Sequence, residues 1–242
     1  MRGLFIILFI GVLWWIVGNQ GIIPPLYLPK LEDVLLSYNH SILLDCGATI
    51  YRTLLGFMVG ILLAYSIHFL SVVRNWVDRL DPHFAASRAV PGIALMPLFI
   101  LWFGFGETGR VLIVSLTASL YFLAPLQGAY QNIPREWSLL KNQIELNKYK
   151  YYLNIILPGT IGHLLGAFRL TMAVSFTIAI ASDYMGAQIG LGKFIDSARV
   201  TFNISGIFLA LIVAALIGLT LDRIVLIIFK RFVHWTGKTL KA

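Results

Sequence analysis

Long uncharged stretches alternate with short charged segments along these 242 residues, and the lengths of the stretches set the first expectation. A helix crossing the roughly 30 Å hydrocarbon core of a bilayer needs about 20 predominantly apolar residues. Six stretches qualify. The first lies within Gly3 to Pro29 and should end before Pro24-Pro25. The second runs from Ala48 to Leu70, with Arg52 near one end and Gly56 and Gly60 at the GxxxG spacing that lets two helix backbones approach closely. The third, Ala89 to Gly106, contains Pro91 and Pro97, and the fourth, Val111 to Ile133, contains Pro125. The fifth, Gly159 to Ser182, is broken only by Arg169. The sixth, Ile204 to Leu221, should continue past Asp222-Arg223 to Phe229. The expected fold class is therefore all-α, a polytopic membrane protein of six transmembrane helices forming one domain over residues 1–242. A cleavable signal is the rival reading of the first stretch. No small-x-small site follows it, however, and Trp14-Trp15 suits an interfacial aromatic belt.

Composition agrees with this pattern. Hydrophobic residues make up 58% of the chain and charged residues 12%, against about 25% charged in soluble domains. Mean hydropathy is +0.82. Disorder, a disulfide-stapled secreted module and an ordinary cytosolic enzyme are excluded. The lone Cys46 cannot form an internal bridge, so it says nothing of redox compartment. A net charge of +8 would suggest nucleic acid for a soluble chain; here the basic residues mark cytoplasmic loops, and no nucleic-acid partner is expected. With the N-terminus inside, cytoplasmic segments hold Arg2, Arg74, Arg79, Arg88, Arg135, Lys141, Lys148, Lys150, Lys230, Arg231, Lys238 and Lys241. The outer segments hold Lys30, Arg52, Arg110, Lys193 and Arg199. Twelve against five puts both termini in the cytoplasm.

Two connecting segments are unusual. Residues 134–158 are long for a loop between membrane helices, and rich in Leu, Ile, Tyr and Trp. Leu140, Ile144 and Leu146, with Lys141, Asn142, Glu145 and Lys148 between them, predict a cytoplasmic helix with one apolar face. Such a helix lies on lipid or docks into a partner. Residues 183–203 contain Gly186, Gly190 and Gly192 and predict an outer turn followed by a short helix.

Enzymatic chemistry finds no foothold. Gly104, Gly106 and Gly109 match G-x-G-x-x-G, but they join two membrane helices instead of a strand to a helix, so no dinucleotide site follows. Gly192-Lys193 lacks the first glycine and the Ser/Thr of a phosphate loop, so no ATP site is expected in this chain. His40, His68, His83, His163 and His234 are dispersed, and no metal site or catalytic residue is expected. A transport role fits better than catalysis.

The order of features resembles a known family. Pro91 to Gly109, PGIALMPLFILWFGFGETG, is similar to the third-helix region of permease subunits of bacterial ATP-binding-cassette importers, on the branch serving nitrate, sulfonates such as taurine, and related solutes. Tyr184 to Gly192, YMGAQIGLG, resembles the segment after that family's fifth helix. Leu157-Pro158 resembles the end of its cytoplasmic coupling motif, and Gly166-Ala-Phe-Arg169 the start of the next helix. The likeness runs from about Leu28 to Phe232. It implies a type I importer permease (MetI-like) fold in the bacterial inner membrane. It also implies a second permease copy as a homodimer partner, two cytosolic P-loop ATPases that use ATP and magnesium, and an extracytoplasmic solute-binding protein. The chain itself would bind no cofactor. In the family the loop matching residues 134–158 carries a helix that fits a groove on the ATPase, which makes Leu139, Leu140, Lys141, Asn142, Ile144, Glu145, Leu146 and Lys148 the expected coupling residues. The chain departs from the family there: Leu139-Leu140-Lys141 replaces Glu-Ala-Ala, Glu145 replaces a glycine, and Asp183 stands where the family usually has Glu. An ATP-independent carrier or a non-transporting scaffold descended from a permease are the competing functions.

Candidates for the pathway or gate are Pro91, Met96, Pro97, Arg169, Ser175 and Asp183. Arg169 either contacts an anion in the pathway or sits near the cytoplasmic interface and snorkels or pairs, since a mid-membrane arginine costs at least about 2.5–3.5 kcal/mol. Asp183 either lines the gate or meets the binding protein, or else caps the following helix. Ser175 faces the pathway or packs between helices. Pro91 and Pro97 supply a moving bend or a static kink.

Overall fold

The computed structural model describes residues 2–21, 23–87, 89–134, 136–137 and 147–233. All regular structure among them is helical. The chain divides into two compact units, one of residues 1–49 and 183–217, the other of residues 50–182 and 218–242.

The first unit contains α1 (Arg2–Asn19), α2 (Leu31–Leu36), the start of α3 (Ser41–Val73), α10 (Leu191–Val200) and the first half of α11 (Ile204–Phe232). The Trp14 indole N–H donates to the Pro29 carbonyl at 2.9 Å, and its ring meets Phe208 of α11 at 5.3 Å. One belt residue thus faces protein, while Trp15 is exposed. The turn and short helix expected over residues 183–203 are present, with α10 following two glycines of positive φ, Gly186 (+79°) and Gly190 (+146°).

The second unit holds the rest of α3, then α4 (Val77–Ser87), α5 (Gly92–Phe103), α6 (Glu107–Gln131), α7 (Lys148–Tyr151), a π-helical turn (Tyr152–Ile156), α8 (Leu157–Ile161) and α9 (Leu165–Tyr184), closed by the second half of α11. The GxxxG reading holds. A Cβ on Gly56 would lie 2.6 Å from Val114 Cβ, and one on Gly60 2.5 Å from Ala118 Cβ and 2.6 Å from the Ser115 carbonyl, so α3 and α6 touch backbone to backbone. Phe122, Leu126 and Leu164 fill one core cluster with Ala64 and Phe84; Met96, Phe99, Ile113 and Ala179 fill another.

Among the described residues, four helices are long and apolar enough to span a bilayer: α3, α6, α9 and α11. The third expected span, Ala89 to Gly106, differs from its prediction: its helix is the 12-residue α5, which forms a pair with the preceding α4 bent by 96°, and counting that pair as one span gives five. Pro91 explains the later start: it is the extended N-cap of α5 (ψ 105°), not a residue inside a helix running from Ala89, whereas Pro97 does lie inside. The first stretch is helical as α1, whose 18 residues rise about 27 Å. The fifth stretch starts later than expected, at Leu165, because the chain turns at Gly162 and His163 after the short α8. Apolarity alone cannot tell a spanning helix from such a break.

Candidate coupling and translocation elements

Of the coupling candidates, Leu139, Leu140, Lys141, Asn142, Ile144, Glu145 and Leu146 lie outside the described residues. Lys148 is described, and its ammonium turns back on its own chain. Nζ donates to the carbonyl of Val73, the last residue of α3, at 3.2 Å and to Asn75 Oδ1 at 3.3 Å. A cation at a helix C-terminus meets unpaired carbonyls and the negative end of the dipole, a favourable pairing.

The residues after Lys148 anchor this side of the loop. The Asn147 side chain accepts from the Tyr149 N–H at 2.7 Å and starts α7. Tyr152 is 3% exposed, and with Tyr151 and Ile156 it packs on Phe69, Val72, Tyr130 and Ile133. Its hydroxyl lies 3.0 Å from Nδ1 of the fully buried His68 on α3. Burial pushes both tyrosine hydroxyls above their ordinary pKa, so they act as neutral hydrogen-bonding groups. At the other end of the loop Trp137 lies over Gly159 of α8; a Cβ there would stand 2.8 Å from its ring. Sequence reasoning passed over His68 and Tyr152. The available signal was a histidine inside a long, mostly apolar stretch, where a polar side chain needs a partner.

Among the pathway candidates of the second unit, Pro91 caps α5 and Met96 and Pro97 lie within it, but Met96 is 1% exposed and belongs to the core with Phe99, Ile113 and Ala179. Ser175 is fully buried, and its hydroxyl has no hydrogen-bond partner among the described residues. Arg169, six residues earlier on α9, points elsewhere: Nε and Nη2 donate to Asp222 Oδ1 and Oδ2 of α11 at 2.6 and 2.7 Å. The pairing alternative for Arg169 therefore has a named partner, which the sequence contained in an apolar run without revealing the contact.

Asp183 lies in the first unit and is fully buried. Its Oδ2 accepts from the Thr49 hydroxyl at 2.6 Å, and Thr49 Oγ1 in turn accepts the Leu191 N–H at 2.8 Å. Asp45, one turn before Thr49, accepts the Gly190 N–H at 2.8 Å. Gly190 occupies the N-cap position of α10, and the first N–H of that helix, from Leu191, goes to Thr49. Asp45, Thr49 and Asp183 together fix the glycine-rich turn to α3. No group of three or more His, Cys, Asp or Glu suited to a metal occurs among the described residues.

Residues 56–234 match the family described as binding-protein-dependent transport system inner membrane component. The chain belongs to that family. It is the membrane-spanning, non-catalytic component of an ATP-binding-cassette importer, on the branch that includes sulfonate, nitrate and taurine permeases. An aliphatic sulfonates transport permease of Bacillus subtilis (strain 168) is 26% identical over 241 residues, covering 97% of this chain and 87% of its own. A riboflavin transport system permease of Chloroflexus aurantiacus is 34% identical over 162 residues, 66% of this chain and 60% of its own. The crystal structure of an amino acid ABC transporter with histidines shares the fold, with a TM-score of 0.63 at 16% identity over 82% of this chain and 97% of the other. The permease is thus a multi-pass inner-membrane protein whose importer includes an ATPase and a solute-binding protein.

Proposed function

We propose that two copies of this permease, each a single transmembrane domain over residues 1–242 with both termini cytoplasmic, form a pore driven by two cytosolic P-loop ATPases that use ATP and magnesium. Residues 134–158 are the coupling segment, with Leu139, Leu140, Lys141, Asn142, Ile144, Glu145 and Leu146 as the residues that couple to the ATPase. The permease is a two-state gate: nucleotide binding in the ATPases favours one state, and hydrolysis restores the other. The family match over residues 56–234 carries this reading. The packing of Tyr151, Tyr152 and Ile156 against α3 and α6 supports it, since a lever must be fixed to what it moves.

The solute is small and anionic, delivered by the binding protein. The sulfonate named for one relative supports this. The riboflavin named for another supports a neutral, larger solute instead. Uptake of a radiolabelled alkanesulfonate and of riboflavin by vesicles containing the whole transporter separates the two. Replacing Leu140, Ile144 and Leu146 together by serine should abolish co-purification with the ATPase. Retained association refutes the docking face, and uptake indifferent to ATP inside the vesicles refutes the importer reading in favour of a carrier.

A further inference from the structure

We propose that His68 and Tyr152 form the joint that passes movement of the coupling segment into the membrane-spanning helices, so that both are positioning residues for transport. The proposal rests on the coupling role given above to residues 134–158.

The observations converge on one buried spot. His68 lies on α3, and its imidazole is fully buried. Its ring meets three others: Tyr130 of α6 edge-on at 5.2 Å, Tyr152 at 5.8 Å and Phe84 of α4 at 6.4 Å. One side chain thus meets rings of α4, of α6 and of the last part of the coupling segment. The contact with that segment is polar as well as aromatic. His68 Nδ1 lies 3.0 Å from the Tyr152 hydroxyl, which in turn donates to the Tyr65 carbonyl of α3 at 3.5 Å. Tyr152 also meets Phe69 edge-on at 4.9 Å, and Lys148 fastens the same segment to the end of α3. A hydrogen bond in an apolar surround is directional and costly to leave unmade, so it holds the segment to one register on α3 where purely apolar packing could slide.

The backbone at this point is also unusual. Tyr152 opens a five-residue π-helical turn that separates α7 from α8. Single π turns inside helices are rare and recur at functional sites, where a wider turn can convert to α-helical winding and shift the register of what precedes it. Here the turn lies in the last part of the coupling segment, just before α8. The buried His68–Tyr152 contact therefore holds the first residue of the π turn to α3, and the rest of the turn is the adjustable part.

The chain's single cysteine provides a reporter that needs no knowledge of the solute. Cys46 is half-buried near the opposite end of α3 from His68. The whole transporter, with its ATPase and binding protein, is reconstituted in liposomes, and the rate at which a membrane-impermeant maleimide labels Cys46 is measured without nucleotide and after vanadate trapping with ATP. In the wild type the rate should change severalfold. Tyr152→Phe, which removes one hydroxyl, and His68→Ala should flatten that response while the ATPase still co-purifies and hydrolyses ATP. His68→Asn, whose amide sits near the position of Nδ1, should restore part of it. A purely structural role would lower yield or thermal midpoint, and would not leave ATPase association intact while erasing the nucleotide response. An undiminished response in Tyr152→Phe overturns the proposal even if His68→Ala fails to fold, and so does a wild-type rate that ignores nucleotide with the ATPase bound. Absence of any ATPase from the purified wild type would instead overturn the coupling role itself.

Discussion

Arg52 with Glu107 and Arg169 with Asp222 are the same chemical pair in two different settings. Each joins two helices of the second unit, α3 to α6 and α9 to α11, with Nε to carboxylate distances of 2.6 Å. Arg52 is 3% exposed while Glu107 is 58% exposed at the first turn of α6. Arg169 and Asp222 are 45% and 32% exposed. The first is a buried cation held by an accessible carboxylate, and the second is half open at both ends. A buried charge stranded by loss of its partner is strongly destabilising, whereas an exposed pair contributes little. Geometry alone would rank the two equal; burial separates them.

The largest effect should therefore come from Glu107→Gln, which neutralises the carboxylate that Nε and Nη2 of the buried Arg52 both donate to. The expected loss is about 3 kcal/mol, the low end for breaking a buried pair because Glu107 itself stays accessible to solvent. It would be read as a lower thermal midpoint of the detergent-solubilised permease. Arg52→Met in the same background should recover part of it, since it removes the buried charge that the carboxylate had balanced. A Glu107→Gln loss no larger than that of Asp222→Asn would break the comparison.

A smaller effect is expected from Gly60→Ala, two turns along α3 from Arg52. The added methyl would press on Ala118 Cβ and on the Ser115 carbonyl, and the second of these is backbone that cannot rotate away. Overpacking of this kind costs about 1–3 kcal/mol. It also separates α3 from α6, which lengthens the reach from Arg52 to Glu107. Combined with Glu107→Gln the losses should be less than additive; combined with Asp222→Asn they should add, because α9 and α11 carry that pair. Additivity in both combinations would show that the α3–α6 approach does not position the Arg52–Glu107 pair.

These cases show what the sequence could and could not disclose. The apolar stretches gave α3, α6, α9 and α11 because a span is a local property of about 20 residues. GxxxG gave the close face of α3 because the spacing itself places two glycines on one side of a helix, although the partner, α6, was not readable. The bend between α4 and α5 was hidden because Pro91 marks a boundary as readily as a kink, and the pattern does not say which. The pairings were hidden for a different reason. Arg169 to Asp222 and His68 to Tyr152 join residues 53 and 84 positions apart, and no period along the chain encodes a contact of that range. Polar residues inside apolar stretches were visible; which one each would meet was settled only by packing.

Asp222→Asn should have the smallest effect on stability, and its dependence on salt tests why. If water reaches the half-open Arg169–Asp222 pair as freely as its exposure in one chain suggests, mobile ions screen it, with a Debye length of about 30 Å at 0.01 M falling to about 3 Å at 1 M. The midpoint difference between wild type and Asp222→Asn would then shrink toward zero as salt rises, while that of Glu107→Gln would persist because Arg52 is buried within its own chain. A salt-independent Asp222→Asn difference in the assembled transporter, together with a salt-dependent one in the separated permease, would mean that assembly covers the face of α9 and α11. Arg169 would then be a buried charge of the complex, and its partner Asp222 would count for as much there as Glu107 does within the chain.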